Sequence, residues 1–222
     1  MINKRINIFT GHFGSGKTEV AVNYALQLRK SDKKTAIVDF DIVNPFFRTT
    51  DAKEKLESKD IRVIIPMYAN TNVDVPALPP EINALFEVKE YNVVFDVGGD
   101  DLGAKALARY SEDINTNGYD MYFVINSKRP MTDTFQKTKQ MLFEIEQASG
   151  LKITKLVNNT NLLQDTTLEI ILEGHKMIEK LSLELGIPIG FISGFGQFVS
   201  KAGDMHKNDV LHMEKSIKLP WD

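Results

Sequence analysis

The octapeptide GHFGSGKT at residues 11–18 constrains the fold of this chain more than any other feature. It matches the pattern G-x-x-x-x-G-K-[ST], in which glycines let successive backbone N–H groups turn toward a phosphate. An apolar stretch from Arg5 to Thr10 precedes it, and a segment with helical spacing from Lys17 to Lys30 follows it. This order of strand, loop and helix predicts a phosphate-binding loop. The residues expected to form it are Gly11, His12, Phe13, Gly14, Ser15, Gly16, Lys17 and Thr18.

The residue types of the loop predict individual roles. Lys17 is expected to bridge the β- and γ-phosphates of a nucleotide and is a candidate catalytic residue. The Thr18 hydroxyl is expected to ligate Mg²⁺, a hard cation that prefers oxygen ligands. Gly14 and Ser15 are expected to contribute backbone N–H groups. The loop therefore predicts a site for Mg²⁺ and a nucleoside triphosphate.

A second motif follows at Tyr91 to Gly99. An apolar run ends there in Asp96, as in strands whose terminal carboxylate holds a magnesium-bound water, so Asp96 is a candidate catalytic and metal-binding residue. The next residues read D-x-x-G, which predicts that the Gly99 N–H group contacts the γ-phosphate and senses hydrolysis. The alternative is a strand followed by an ordinary turn.

The stretch Thr35 to Phe40 is also apolar and leads into two carboxylates, Asp39 and Asp41. Residues two apart in a strand share one face, and like charges side by side are costly without an ion or water. We assign Asp39 to the magnesium site and Asp41 to the attacking water, with solvated loop acids as the alternative.

Short apolar stretches alternate with helical segments along the chain, which predicts an α/β fold with a doubly wound, mainly parallel sheet of about seven strands. We expect a single domain over residues 1–222, with 193–222 the least readable segment. The predicted strands are Arg5 to Thr10, Thr35 to Phe40, Ile61 to Pro66, Asn92 to Val97, Met121 to Ile125, Ile153 to Asn158 and Ile189 to Ile192. The predicted helices are Lys17 to Lys30, Pro80 to Lys89, Leu102 to Asn115, Thr132 to Ala148 and Thr167 to Leu185.

The amino-acid composition limits the classes of partner and chemistry that we expect for this chain. With 27 basic and 30 acidic residues the net charge is −3, so we expect neither nucleic acid nor an anionic membrane to be bound. The absence of cysteine excludes thiolate catalysis and Cys-based metal sites on this chain. The N-terminal apolar stretch, Ile6 to Phe9, is too short for a secretory segment, and a cytoplasmic location is expected.

The three motifs GHFGSGKT, IVDFDI and VVFDVGG together resemble the MinD/ParA group of P-loop ATPases, the CobQ/CobB/MinD/ParA nucleotide-binding domain, over about residues 3 to 195. The resemblance implies roles for Asp39 and Asp41 in magnesium binding and water activation, and a nucleotide-dependent homodimer. It places Arg48 in a switch segment. That group carries a signature lysine where this chain has His12, and usually a glycine where it has Phe13, so the chain departs from the pattern used for catalysis across the dimer.

The nucleotide base is predicted to be adenine. The guanine-recognising pattern N-K-x-D is missing at the ends of the predicted strands Met121 to Ile125 and Ile153 to Asn158. The resemblance implies that Asn158 reads the base, and Asn126, at the carboxyl end of another strand, is expected to line the same pocket. Both asparagines could instead be strand-end caps. His206 and His212 match no usual zinc spacing and are interpreted as surface histidines.

The leading hypothesis is therefore a Mg²⁺-dependent ATPase that binds ATP and ADP and switches a protein partner. The alternative is an enzyme that uses ATP to activate a small carboxylic acid, similar to dethiobiotin synthetase or to the cobyrinic acid amidating enzymes without their glutaminase domain. A third reading is a nonhydrolytic scaffold or metallocluster-loading accessory.

Overall fold

The computed structural model of the chain describes residues 4–41, 49–65, 79–99 and 101–217. The predicted switch residue Arg48, the last residue of the third predicted strand, Pro66, and residues 218–222 lie outside them. Within the described residues the chain forms one parallel sheet with helices on both faces.

Eight strands form this sheet, in the order β3-β2-β4-β1-β5-β6-β7-β8, and every neighbouring pair is parallel. The strands are β1 (Ile6–Thr10), β2 (Thr35–Phe40), β3 (Ile61–Ile64), β4 (Asn92–Val97), β5 (Tyr119–Ile125), β6 (Lys155–Asn158), β7 (Ile189–Gly194) and β8 (Val210–His212). The predicted fold class is confirmed, but the expected seven strands become eight because β8 extends the sheet. The helices are α1 (Lys17–Lys30), α2 (Lys53–Glu57), α3 (Glu81–Glu87), α4 (Asp101–Ala108), α5 (Ser111–Asn117), α6 (Phe135–Ser149), α7 (Leu168–Leu185) and α8 (Gln197–His206).

The segment predicted as one helix from Leu102 to Asn115 is two helices, because the chain turns between α4 and α5. Tyr110, at this turn, packs its ring against Phe40 and Phe86, with centroids 6.1 and 5.7 Å apart. This packing fixes the backbone at Tyr110 in a non-helical conformation. Tertiary packing has therefore overridden the helical pattern.

The strands are buried on both faces, which explains their nearly continuous apolar sequences. Alternate residues face opposite layers: Ile6 and Ile8 of β1 pack toward α3, α5 and α6, whereas Phe9 packs toward α1. Because all strands are parallel, their carboxyl ends meet at one edge of the sheet, where open α/β sheets bind ligands. In the part of the chain described here, no helix is both long and apolar enough to cross a bilayer.

Candidate functional site

The phosphate-binding loop joins β1 to α1 at the carboxyl edge of the sheet. Gly11, Gly14 and Gly16 have φ angles of 148°, 79° and 83°, which side-chain-bearing residues rarely adopt. Gly16 is the N-cap of α1 and offers no side-chain cap, so the backbone amides of the first turn remain available. The loop therefore has the conformation and the helix N-terminus that an anion site requires.

Lys17 and Asp41 form a buried ion pair in this loop. The Lys17 Nζ atom lies 3.2 Å from Asp41 Oδ2, and the side chains are 6% and 4% exposed. The pair places the terminal carboxylate of the second strand segment directly beside the loop lysine. The structure thus brings together the lysine of the loop and a carboxylate that follows β2.

Asp39 and Asp96 are register partners on the adjacent strands β2 and β4. Asp39 accepts a hydrogen bond from the backbone of Asp41 at 3.2 Å and from the Thr50 hydroxyl at 2.9 Å. Asp96 accepts one from the Thr49 hydroxyl at 2.9 Å. The carboxylates predicted from two separate motifs therefore lie together at one point of the sheet edge.

Opposing influences act on the pKa of Asp96. The pKa is raised to about 7, chiefly by burial, and the charges of Asp39 and Asp41 act in the same direction. The charge of Lys17 and the Thr18 hydroxyl lower that pKa. The Thr18 hydroxyl, predicted as a magnesium ligand, therefore lies close to the Asp96 carboxylate.

Two buried polar atoms at the site have no hydrogen-bond partner among the described residues, namely Ser15 Oγ and Asp96 Oδ1. A buried polar atom without a partner costs free energy, so it calls for a ligand. An unpartnered carboxylate oxygen beside a hydroxyl fits the oxygen donor set of Mg²⁺. The residues present therefore fit a Mg²⁺ ion, with Thr18, Asp39 and Asp96 able to hold it directly or through water.

Gly99 lies against the phosphate-binding loop. A Cβ atom at this position would be 2.5 Å from the Gly11 carbonyl oxygen and 2.6 Å from the Phe13 nitrogen. The turn after β4 therefore packs directly on the loop backbone, as a γ-phosphate sensor must. Contact of the Gly99 N–H group with phosphate stays a prediction.

Asn159 supports the loop, a role the sequence analysis missed. Its side-chain nitrogen donates to the Ser15 carbonyl at 2.7 Å, and its side-chain oxygen accepts from the Ser193 hydroxyl at 3.0 Å. Arg129 supports the other side, donating from Nε to the Gly14 carbonyl at 3.0 Å. The signal for Asn159 is the polar run after β6, in which the resemblance points to the preceding residue, Asn158.

Asn158 and Asn126 both bond to backbone groups at strand ends. Asn158 donates to the Ile171 carbonyl at 3.2 Å and accepts from the Thr160 nitrogen at 3.0 Å. Asn126 donates to the Asn161 carbonyl at 3.1 Å. This is the geometry of the strand-end caps left open above. Reading of a base by either amide stays a prediction, and each amide retains a second N–H donor for it.

His12 and Phe13 occupy the outer part of the loop. The His12 ring donates from Nδ1 to the Phe13 carbonyl at 2.6 Å, and the Phe13 side chain is 54% exposed. The His12 ring is thus tied to its own loop. Its contact with phosphate or with a second chain stays a prediction.

The parallel sheet, the loop between β1 and α1 and the acidic strand ends define this chain as a P-loop NTPase. A family model described as ParA, NUBPL iron-transfer P-loop NTPase, matches residues 1–97, which contain the loop and all three carboxylates. Residues 1–97 are thus similar to P-loop NTPases of the ParA kind. No curated protein sequence matches it.

Solved structures confirm the fold. FtsY from Thermotoga maritima aligns with a TM-score of 0.54 at 18% identity over 87% of this chain and 62% of that one. Chloroplast FtsY from Physcomitrella patens aligns at 0.57 and 12% over 89% and 61%. Signal recognition particle receptor FtsY from Elizabethkingia anophelis, in complex with GDP, aligns at 0.55 and 12% over 87% and 58%. The chain thus spans about three fifths of the length of these structures.

Proposed function

We propose that this chain is a Mg²⁺-dependent ATP-binding protein and ATPase of the MinD/ParA type that acts as a nucleotide-dependent switch on a protein partner. One observation carries the proposal: Lys17 and the carboxylates of Asp39, Asp41 and Asp96 converge at the carboxyl edge of the sheet. This set supplies a phosphate-binding cation and oxygen ligands for Mg²⁺ in one place.

Each residue has a defined task in this proposal. The loop amides and Lys17 hold the β- and γ-phosphates, while Thr18, Asp39 and Asp96 hold Mg²⁺, which neutralises the phosphate charge. Asp41 orients the attacking water once Lys17 turns from its carboxylate to the phosphates. The buried position of Asp41 keeps bulk water away from that step.

The switch follows from the contact between Gly99 and the loop. A γ-phosphate bound to the loop would bias the turn after β4, and hydrolysis would release it. Helix α4 begins two residues after Gly99, so this bias would be passed to a helix. The proposed partner would read that helix, and a nucleotide-dependent homodimer is one form the partner could take.

Adenine is the proposed base because the chain lacks the guanine-recognising pattern after β5 and β6. The GDP complex of the Elizabethkingia FtsY makes guanine the competing choice to test. The measurement is calorimetric titration with Mg²⁺ and ATP, ADP, GTP or GDP, together with phosphate release and light scattering.

Lys17→Ala tests the site, and Lys30→Ala, an exposed lysine at the other end of α1, is the matched control. We expect wild type and the control to bind Mg²⁺–ATP more tightly than Mg²⁺–GTP, and Lys17→Ala to lose at least about a hundredfold in affinity while remaining folded. Equal or tighter binding of GTP would overturn the choice of base. Phosphate release that requires a small carboxylic acid would favour the carboxylate-activating alternative.

A further inference from the structure

A cluster of metal-ligating side chains lies away from the nucleotide site, between α7 and α8. His175 and Glu179 are four residues apart on α7 and therefore point the same way, and His206 is the last residue of α8. One ligand atom from each of the three lies within 4.8 Å of the others. The proposed ATPase uses none of them.

Two distances within the cluster, one of them a hydrogen bond between His206 and Glu179, are close to those of a metal site. Glu179 Oε1 lies 2.9 Å from His206 Nδ1 and 3.6 Å from His175 Nε2. A tetrahedral metal with bonds of about 2.1 Å has ligand atoms about 3.4 Å apart, so the observed spacings bracket the required value. The rings of His175 and His206 meet edge to face, with an interplanar angle of 60° and centroids 4.1 Å apart.

His175 supplies a second, independent observation. Its side chain is 0% exposed, and neither ring nitrogen has a hydrogen-bond partner of good geometry among the described residues. The Asn208 side chain, in the turn after α8, lies beside the ring. For a fully buried imidazole beside a His–Glu pair, with neither nitrogen in a well-formed hydrogen bond, a bound ion would supply the missing partner.

We propose that His175, Glu179 and His206 bind one divalent transition-metal ion of the zinc class. Two imidazoles and one carboxylate are a donor set that such ions prefer over Mg²⁺. Three protein ligands leave at least one coordination position for water or an external ligand. The ion would also join α7 to α8. Helix α7 carries Ile171, whose carbonyl accepts the hydrogen bond from Asn158.

Sequence spacing could not reveal this site. In the sequence the nearest histidine to His206 is His212, six residues away. The partners of His206 in the cluster, Glu179 and His175, lie 27 and 31 residues earlier on another helix. His212 instead lies near the Ser200 hydroxyl, at 3.4 Å, and is not part of the cluster. It therefore offers a matched control in the same region of the chain.

The test is a calorimetric titration of the untagged full chain with Zn²⁺ in excess Mg²⁺, which occupies oxygen-rich sites, followed by the visible absorption spectrum with Co²⁺. Glu179→Gln and His206→Gln keep the size of each side chain and avoid the buried His175. We expect one Zn²⁺ per wild-type chain, an affinity at least about tenfold weaker in either variant, and no change in His212→Gln. Thermal melts establish that all variants are folded.

Three outcomes overturn the proposal. Wild type that binds no Zn²⁺ shows that the cluster is only a hydrogen-bonded contact between α7 and α8. Zn²⁺ affinity equal to wild type in both Glu179→Gln and His206→Gln, or lost in His212→Gln, places the ion elsewhere. Intense d–d bands with Co²⁺ in wild type that weaken in Glu179→Gln would support a four-coordinate site at these residues.

Discussion

At the scale of a single residue, Asp96 serves the site but lowers the stability of the ligand-free protein. Its carboxylate is fully buried, has one oxygen without a partner among the described residues, and is close to two other acids. Burial raises its pKa to about 7. Because the folded-state pKa lies above the unfolded value of 3.8, ionisation of Asp96 opposes folding as pH rises from about 4 to 7.

We therefore expect Asp96→Asn to stabilise the protein without Mg²⁺ above about pH 7 and to leave it unchanged near pH 4. The gain should be on the order of 2 to 4 kcal/mol, since one pKa unit corresponds to about 1.4 kcal/mol. The same change should weaken Mg²⁺–nucleotide binding at least about tenfold. Denaturant unfolding across this pH range and calorimetry measure both effects.

Asp120→Asn is the matched control for this prediction. Asp120 is also buried, but its carboxylate lies 3.1 Å from Lys155 Nζ and accepts from the Lys4 backbone at 3.2 Å, at the opposite end of the sheet. Its replacement should lower stability and leave nucleotide binding unchanged. If Asp96→Asn is as destabilising as Asp120→Asn at pH 8, burial of the Asp96 charge is not what limits the free protein.

At the scale of elements, the turn after β4 and the phosphate-binding loop are fitted to each other at Gly99. We expect Gly99→Ala to lose nucleotide binding and to lower stability, because its Cβ would meet backbone atoms that cannot rotate away. Gly194→Ala is the control, since its Cβ would lie at an ordinary 3.4 Å from Val199. Equal nucleotide affinity in the two variants would contradict the proposed close contact between Gly99 and the backbone of the phosphate-binding loop.

The loop after β6 positions the phosphate-binding loop through Asn159. Removing this side chain takes the bond at 2.7 Å from the Ser15 carbonyl and leaves the Ser193 hydroxyl its longer bond to the Asn158 carbonyl, so Asn159→Ala should cost about 1–3 kcal/mol of stability. We also expect affinity for ATP and ADP to fall together by about tenfold, because the whole loop is loosened. Exposed Asn115, whose amide caps only its own helix, is the control position. A loss confined to ATP would point to the γ-phosphate instead.

Functional residues within a contiguous motif could be predicted from the sequence, whereas those that depend on distant contacts could not. The residues of the loop, Asp39, Asp41 and Asp96 could be located because their motifs are contiguous and follow apolar strands. Helix α8 and strand β8 could not be predicted. A strand of three residues is too short to show an alternating apolar pattern, and β8 joins the sheet by pairing with β7. The His175 cluster and Asn159 depend on such distant contacts, which local pattern does not encode.

At the scale of the whole molecule, the segment after β8 returns to the nucleotide side of the sheet and lies along α1. Asn23 on α1 exchanges two hydrogen bonds with the backbone of Glu214, at 3.0 and 2.8 Å. Glu19, one turn earlier, accepts from the backbone nitrogens of Ser216 and Ile217. The segment after β8 and the phosphate-binding helix are thus joined by bonds from α1 side chains to backbone groups, which local sequence does not predict.

We expect Asn23→Ala to release residues 213–217 from α1, because Glu214 would lose the partners of both its backbone groups. Stability should fall by about 1–3 kcal/mol, and hydrogen exchange should accelerate at Glu214, Ser216 and Ile217. Mg²⁺–ATP affinity should stay close to wild type, because α1 remains packed through Val20, Val22 and Leu26. Asn115→Ala serves again as the control. Unchanged exchange at Glu214 in Asn23→Ala would contradict this role of Asn23 and would leave the other contacts, with Glu19, Lys55 and the core, as what holds the segment.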